Sequence, residues 1–158
     1  MAGDAAAQQD PVMRTGPFWD GVEGRAPVPP AARTLGFAFL SADEQTGTIE
    51  LAFGAGEEFT NPAGNVLGAF LAAMLYDTLG PALLATLGPD EFQSTLQMNV
   101  DFLRSTRPGR VRGRGRVRHR DGDHAVVEAE LLDSDGALLA TATAVARVIG
   151  LAAARGAV

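Results

Sequence analysis

The sequence predicts a single domain of the α+β class, in which an antiparallel sheet wraps around one long apolar helix. Residues 65–87 form a nearly continuous apolar run, which is too long for an ordinary buried strand and predicts the helix. Two strand-like segments precede this run, and segments in which apolar residues recur at every second position follow it. Strands that are grouped on either side of one helix, rather than alternating with helices, favour α+β over α/β.

Length and composition fit one globular domain. The 158 residues are 46% hydrophobic and 20% charged, which suffices for a self-supporting core. There is no cysteine, so disulfides, thiolate nucleophiles and cysteine metal sites are excluded. Residues 1–10 carry acids and no apolar run, which argues against a secretory signal, and we therefore expect a cytoplasmic protein.

The N-terminal residues 1–33 are rich in proline, glycine and alanine and predict an arm that is either flexible or docked. This arm carries Trp19, the only tryptophan, next to Phe18. Two large aromatic side chains on such a segment indicate docking, either by packing on its own domain or as a lid over a ligand. The domain itself is expected to span residues 34–150, followed by a tail at 151–158.

The helix is expected to follow a hairpin and a turn. Turn formers at residues 43–47 predict the hairpin, and Asn61 and Gly64 mark the turn at which the helical segment NPAGNVLGAF begins. A membrane span is the rival interpretation, but two glycines, Asp77 and Pro81 interrupt the apolar run, so a helix buried by sheet is favoured. Pro81 is expected to kink or end the first part of the helix.

The strand after the helix alternates between apolar and polar residues, which predicts one dry and one wet face. The apolar set is Phe92, Leu96, Met98, Val100 and Phe102. The polar set is Gln93, Thr95, Gln97, Asn99 and Asp101.

The net charge of −6 argues against general nucleic-acid binding, for which a basic surface is typical. All 13 basic residues are arginines, and between positions 110 and 120 they occupy every second position, so they share one face of a strand. The residues on the other face are Val111, Gly113, Gly115 and Val117. Its glycines would let the strand pass closely over the helix.

This arginine-rich strand is expected to pair with residues 124–132 through a three-residue loop at 121–123. Such a loop sets opposite charges against each other, whereas a two-residue loop would set arginines opposite Val127 and Leu131. The predicted pairs are Arg114 with Glu130, Arg116 with Glu128, and Val117 with Val127. A last hairpin turns at residues 133–136, and its return strand offers the helix an alanine stripe at 140, 142, 144 and 146.

The predicted order of two strands, one long helix and four strands is the layout of the hotdog fold. Residues 29–149 also resemble the PaaI-like acyl-CoA thioesterases. In that family an N-P-x-G sequence is followed by H-G-G or Q-G-G; here NPAG stands at residues 61–64, and Leu-Gly-Ala at 67–69 takes the H-G-G place. The sequence FLRSTRPG at 102–109 is similar to the family's strand end ahead of its carrier contacts.

The resemblance implies hydrolysis of acyl thioesters carried on coenzyme A or on an acyl-carrier protein, without a cofactor, by a homodimer or a dimer of dimers. The amide of Gly68 at the helix N-terminus would hold the thioester carbonyl, with Asp77 as base or orienting group and Tyr76 as a polar helper. In family members the amide and the carboxylate meet across the dimer interface. The residues expected to contact substrate are Asn61, Leu67, Ala69, Arg104 and Ser105.

The chain departs from the family at Leu67, Ala69 and Tyr76. The family's aspartate position is Tyr76 here, and Asp77 lies one residue further along, about 100° around the helix. These departures leave two alternatives to hydrolysis: another reaction on a bound acyl or polyketide chain, such as dehydration or cyclisation, and acyl binding without catalysis. Asp77 could also have a structural role, paired with arginine or backbone amides at the dimer interface.

Two further features have alternative interpretations. The arginine face is either a solvated salt-bridge ladder or a docking face for the phosphates of coenzyme A or an acidic carrier protein. His119 and His124 flank the hairpin tip, and because no third ligand converges on them in the sequence, no metal site is predicted.

Overall fold

The computed structural model describes residues 13–158, which form one six-stranded antiparallel sheet with a long helix packed against its inner face. The strands are β1 (Ala38–Asp43), β2 (Thr48–Ala55), β3 (Glu91–Phe102), β4 (Gly109–Asp121), β5 (His124–Leu132) and β6 (Leu138–Gly150). The helices are α1 (Pro17–Val22), α2 (Pro30–Thr34) and α3 (Gly68–Leu84), with short 3-10 helices at Glu57–Phe59 and Leu151–Gly156. Residues 1–12 of the predicted arm, including the segment judged not to be a signal, lie outside the described residues.

The sheet order in space is β1-β2-β4-β5-β6-β3, so β1 and β3 are its two edges. The core lies between α3 and the inner face of the sheet, where Met74, Leu75 and Leu79 are at most 2% exposed. The alanines at 140, 142, 144 and 146 of β6 are at most 4% exposed and join the same core. This arrangement confirms the α+β hotdog class that the sequence predicts.

Two glycines of β4 allow α3 to lie directly on the strand, as the sequence predicts. A Cβ built on Gly113 would lie 2.5 Å from the Thr78 hydroxyl oxygen, and one on Gly115 would lie 3.0 Å from the Thr78 carbonyl oxygen. Because packed interiors have no room for such overlaps, larger residues here would push the helix off the sheet.

Helix α3 differs from the sequence prediction at both ends. It begins at Gly68, because the NPAG turn is followed by residues that are not helical. It does not end at Pro81 but continues to Leu84. A proline so close to the end of a helix removes only one internal hydrogen bond, the one that would reach the carbonyl of Asp77. Within residues 13–158, no helix combines the length and apolarity that a bilayer crossing requires.

The pairing of β4 with β5 has the predicted register but not the predicted loop. Strand residues Asp121 and His124 face each other, so the loop has two residues rather than three. A β-bulge at Arg118 then shifts the register by one. The pairs that result are Arg114 with Glu130, Arg116 with Glu128, and Val117 with Val127. The charge pairs and the apolar pair are kept because the bulge takes up the extra residue.

A second bulge makes the two faces of β3 differ from the predicted ones. The register shifts between Thr95 and Gln97, so Leu96 is the extra residue and is 56% exposed. Before the bulge Gln93, assigned to the wet face, is only 6% exposed. Beyond the bulge Met98 and Val100 pack against the core as predicted. Strict alternation fails because a bulge reverses the facing of every residue on one side of it.

The described part of the N-terminal arm packs on the rest of the chain. Trp19 is 3% exposed, and its indole N–H donates to the carbonyl of Ala85, just beyond α3, at 3.4 Å. Phe18, Trp19 and Phe39 of β1 meet edge to face, with ring centroids 5.0 to 6.1 Å apart. The arm therefore closes the side of α3 that lies next to β1.

Candidate active site

The N-terminus of α3 leaves backbone amides available. Its N-cap, Leu67, has no side chain that can cap the helix, and its carbonyl accepts from Phe70 at 2.9 Å and Leu71 at 3.3 Å. The amides of Gly68 and Ala69 donate to no protein acceptor among residues 13–158. Uncapped amides at the positive end of a helix form a site for a developing negative charge.

The turn before α3 is held by Asn61. The side-chain oxygen of Asn61 accepts from the backbone amides of Ala63 at 3.0 Å and Asn65 at 3.1 Å. The side-chain oxygen of Asn61 therefore holds the turn together, and the turn fixes where the helix starts.

The loop that follows β3 lies against this turn. The amide of Val66 donates to the Thr106 carbonyl at 2.9 Å, and the Arg107 guanidinium donates to the Ala63 carbonyl at 3.0 Å. Arg104, the predicted substrate contact in this loop, is exposed. Asn61, Leu67, Gly68 and Ala69 therefore lie together at the helix tip, whereas Arg104 and Ser105 precede the loop residues that contact the turn, and the Arg104 amide donates to the Leu139 carbonyl at 3.1 Å.

Exposed apolar surface surrounds the helix tip. Leu67 is 42% exposed and Phe102, the last residue of β3, is 56% exposed. A Cβ on Gly68 would lie 3.3 Å from the Phe102 ring, so the ring sits over the first residue of the helix. Large exposed apolar groups beside an uncapped helix end are typical of a binding surface.

The second half of the site is a cavity of about 560 Å³ further along α3. Its walls come from α3, from the N-terminal arm, from β1 and the start of β3, and from the last residues of the described chain. Asp77 and Tyr76 are its only titratable side chains among residues 13–158. Both predicted catalytic side chains thus line the same space.

Asp77 has no partner for one of its carboxylate oxygens. Its Oδ2 is buried and accepts no hydrogen bond from residues 13–158, and none of the ion pairs among these residues includes Asp77. Burial raises the pKa of Asp77 to about 6, because the charged form loses solvation that nothing replaces. Among residues 13–158 of a single chain, Asp77 pairs with no arginine. A carboxyl group poised near neutrality in a cavity is typical of a general base.

Gln93 is a cavity residue that the sequence did not indicate. It lies on β3 beside Asp77's helix, where its amide nitrogen is 3.1 Å from the Cβ position of Gly80. Its side-chain oxygen accepts from the Thr95 hydroxyl at 3.3 Å. Only the bulge at Leu96 turns this side chain inward, and the sequence carries no local signal for that bulge.

The helix tip and the cavity do not meet within one chain. Gly68 and Asp77 are nine residues apart, which corresponds to about 13 Å along the helix axis. No single carbonyl could contact the Gly68 amide and a water held by Asp77 of the same chain. Within one chain the two groups are therefore too far apart to act on the same carbonyl.

The arginine face of β4 is largely paired with glutamates on neighbouring strands. Arg114 contacts Glu50 at 3.2 Å and Glu130 at 3.7 Å, and Arg116 contacts Glu128 at 2.5 Å. These pairs are exposed, so each is worth less than about 1 kcal/mol. The interpretation as a salt-bridge ladder therefore fits the part of β4 that contains Arg114 and Arg116. The arginines that enter no ion pair among residues 13–158 include Arg104, Arg107, Arg110 and Arg112, which lie toward the helix tip.

Comparison with known proteins points to one enzyme class. The family model of the acyl-CoA thioesterase C-terminal domain matches residues 4–148. A phenylacetic acid degradation-related protein from Ralstonia eutropha, which carries a provisional thioesterase assignment, is 40% identical over 82% of this chain and 98% of its own, with a TM-score of 0.79.

Two further solved structures share the fold at lower identity. A Haemophilus influenzae thioesterase is 21% identical over 77% of this chain and 83% of its own, with a TM-score of 0.71. The E. coli PaaI protein of the phenylacetic acid degradation operon is 18% identical over 84% of this chain and 94% of its own, with a TM-score of 0.74. A search of curated protein sequences found no significant match.

Proposed function

The chain belongs to the acyl-CoA thioesterase family, and from this we propose that it hydrolyses acyl thioesters of coenzyme A with Asp77 as the general base. The observation that carries the proposal is the half-buried Asp77 side chain in the wall of a cavity of about 560 Å³, whose buried Oδ2 accepts no hydrogen bond from residues 13–158. An ionisable group without a partner is costly to bury, so its retention in the wall of a cavity favours a chemical role over a structural one.

The reaction we propose is a water-mediated acyl transfer. The Asp77 carboxylate takes a proton from water while the water oxygen bonds to the thioester carbonyl carbon. The carbonyl oxygen becomes an oxyanion, which the amide of the partner subunit's Gly68 stabilises. The carbonyl then re-forms, the C–S bond breaks, and the proton on Asp77 passes to the leaving thiolate. The products are a carboxylic acid and a free thiol.

The second helix tip comes from a homodimer formed at the β3 edge. β3 has 12 residues and pairs only with β6, and it presents Leu96 and Phe102, each 56% exposed. A long edge with exposed apolar side chains is a template for pairing with another strand. Antiparallel pairing of two copies of β3 about the strand centre would bring one copy's residue 102 beside the other's residue 91.

This pairing would join the two halves of the site. The Phe102 ring covers Gly68 in its own chain, while Gln93 near the start of β3 lines the Asp77 cavity. A partner strand that arrives with its Phe102 at this end therefore brings its helix tip to the cavity. We assign Tyr76 and Gln93 the task of hydrogen-bonding the bound acyl group or the attacking water, because they are the uncharged polar side chains that line the cavity among residues 13–158.

Arg104 and its neighbours favour coenzyme A as the carrier. The loop that carries Arg104 and Ser105 lies beside the helix tip, and the arginines there enter no ion pair among the described residues. Guanidinium groups bind phosphates well, and coenzyme A carries three of them. An acyl-carrier protein offers a single phosphate, so the cluster favours the free coenzyme.

The test is thiol release from acyl-CoA by the wild type, by Asp77→Asn and by the control Asp135→Asn, an exposed aspartate in a distant hairpin turn. Loss of the base should lower kcat by about 100-fold or more in Asp77→Asn, whereas the control keeps wild-type rates. Acyl-pantetheine, which lacks the nucleotide phosphates, should show a higher KM than the matching acyl-CoA. Binding without any thiol release would instead favour an acyl-binding protein, and consumption of substrate without thiol release would favour a diverted reaction.

A further inference from the structure

The wall of the cavity opposite α3 is built by the N-terminal arm of the same chain. Phe18, Gly21 and Val22 of α1, together with Val28 and Pro29 ahead of α2, line the space that Asp77 enters. β1 and β3 are the two edges of the sheet and do not pair with each other among residues 13–158, so they form only part of the cavity wall, through Phe39, Phe92 and Gln93. The arm and the last described residues, Ala154, Ala157 and Val158, form the rest of the wall.

This wall is anchored rather than loose. Trp19 is 3% exposed and donates to the Ala85 carbonyl, while Phe18 meets Phe39 at 6.1 Å between ring centroids. Ala32 of α2 is 6% exposed. A segment fixed at both α1 and α2 presents its cavity-facing side chains in a defined position, which is what selection by shape requires.

The side chains that line the cavity are apolar, apart from the polar ones at the position proposed for the reaction. Phe18, Phe37, Phe39, Leu84 and Phe92 are the largest apolar side chains, and the polar ones are Tyr76, Asp77 and Gln93. A volume of about 560 Å³ lies within the usual range of small-molecule sites. Such a space suits an apolar group considerably larger than acetyl.

We propose that the N-terminal arm is the acyl-specificity element of this enzyme, and that the cavity it closes takes apolar acyl groups larger than acetyl. The inference rests on the proposed function, because the proposed function places the thioester carbonyl next to Asp77. The acyl group then extends from Asp77 toward α1, where Gly21 and Val22 limit its size. The arm is thus both packed on its own domain and a wall of the binding site.

Gly21 offers a way to fill the cavity without disturbing the arm. It lines the cavity, and a Cβ built on it meets no atom within 4 Å. It lies in α1 and has no positive φ, so a larger residue is compatible with its backbone. Gly21→Leu should therefore occupy part of the acyl space. Ala31→Leu is the matched control, because Ala31 is an exposed residue of α2 that does not line the cavity.

The first measurement is kcat/KM for acetyl-, octanoyl- and benzoyl-CoA. For Gly21→Leu, the ratios of octanoyl to acetyl and of benzoyl to acetyl should fall about tenfold or more, because a filled pocket rejects bulk. Ala31→Leu should keep the wild-type ratios. If the wild type hydrolyses the panel and Gly21→Leu keeps the same ratios, the inference is overturned while the proposed function stands.

A binding measurement separates the two proposals. Trp19, the only tryptophan, packs edge to face against Phe18 at 5.0 Å and can report occupancy of the cavity by fluorescence. Octanoyl-CoA titrated into Asp77→Asn should bind at least about tenfold more tightly than into Asp77→Asn/Gly21→Leu. Equal affinities would overturn the inference. If this difference is found but no substrate is hydrolysed by the wild type, the acyl site stands and the hydrolase proposal fails.

Discussion

At the scale of single residues, Asp77 combines a cost in stability with a chemical use. The carboxyl lines a mostly apolar cavity, and burial raises its pKa from 3.8 to about 6, with no hydrogen bond from residues 13–158 to its buried Oδ2 to compensate the lost solvation. A shift of this size corresponds to about 3 kcal/mol between the neutral and ionised forms. A group that ionises near pH 6 is charged, and able to accept a proton, under neutral conditions.

The raised pKa makes opposite predictions for stability and activity. Asp77 destabilises the fold only when ionised, so its unfavourable contribution to folding stability is absent below pH 3.8 and grows as the pH rises toward 6. Asp77→Asn removes that cost. In urea titrations it should be more stable than the wild type by up to about 3 kcal/mol at pH 8, and close to it at pH 4.

The activity should rise over the same pH range in which ionisation of Asp77 lowers the stability. The wild-type kcat/KM should rise through a midpoint near pH 6, because only the ionised carboxylate accepts a proton.

The stability measurement has its own contradicting outcome. Equal stability of wild type and Asp77→Asn at both pH values would mean that the carboxyl is solvated or paired in solution. Asp135→Asn serves as the control, since its exposed side chain should leave both curves unchanged.

At the scale of elements, the contact between α3 and β4 determines where the helix lies relative to the sheet. Gly113 and Gly115 leave Thr78 against the strand backbone, and the Thr78 hydroxyl donates to the Met74 carbonyl at 2.7 Å within the helix. Any displacement of α3 here would move Asp77, the preceding residue, relative to its cavity. The strand glycines therefore support the geometry of the site as well as the core.

Substitution at this contact should destabilise the protein and be rescued by its partner. Gly113→Ala places a Cβ 2.5 Å from the Thr78 oxygen and should cost about 1–3 kcal/mol in the free energy of unfolding. Thr78→Ala removes the nearest obstructing atoms and leaves only the Phe53 ring, 3.0 Å from the new Cβ, so the double variant should be less destabilised than the sum of the two single variants. Gly54→Ala on β2, where a Cβ meets nothing within 4 Å, is the control. Additive costs would contradict the proposed contact.

At the scale of the whole molecule, the proposed site exists only in the dimer. About 13 Å of helix separates Gly68 from Asp77 in one chain, whereas pairing of two β3 edges would bring the helix tip of one copy to the cavity of the other. The symmetry of such a dimer creates two equivalent sites, each using a different element from each chain.

Mixed dimers test this arrangement. Gly68→Pro removes the amide hydrogen at the first helical position, where proline is tolerated, and Leu67 with φ −61° and ψ 135° already has the conformation favoured before proline. It should lower kcat by about 100- to 1,000-fold, whereas Gly68→Ala, which keeps the amide, should be far less affected.

Refolding Gly68→Pro together with Asp77→Asn should then restore activity. Half of the resulting dimers are mixed, and each mixed dimer contains one site with an intact amide and an intact carboxylate, so roughly a quarter of the wild-type rate is expected. Failure to regain activity, in a sample shown to contain mixed dimers, would exclude a site shared between subunits.

The sequence by itself determined the long buried helix, the grouping of strands around it, the charge pairing of β4 with β5 and the family. These follow from periodicity and from residue types that are close together along the chain. The register was predictable although the loop length was not, because opposite charges and apolar faces select the same pairs whichever way the extra residue is placed.

Only the tertiary structure decided which side chains surround Asp77. The bulge at Leu96 turned Gln93 inward, and the docked arm closed a cavity against helix residues that are more than 40 positions away in the chain. Neither feature has a local signature in the sequence. A bulge depends on how two neighbouring strands pair within a curved sheet, and a cavity depends on how closely distant segments pack against each other. The sequence supplied the carboxylate, and the packing of distant segments gave it a raised pKa and a cavity in which to act.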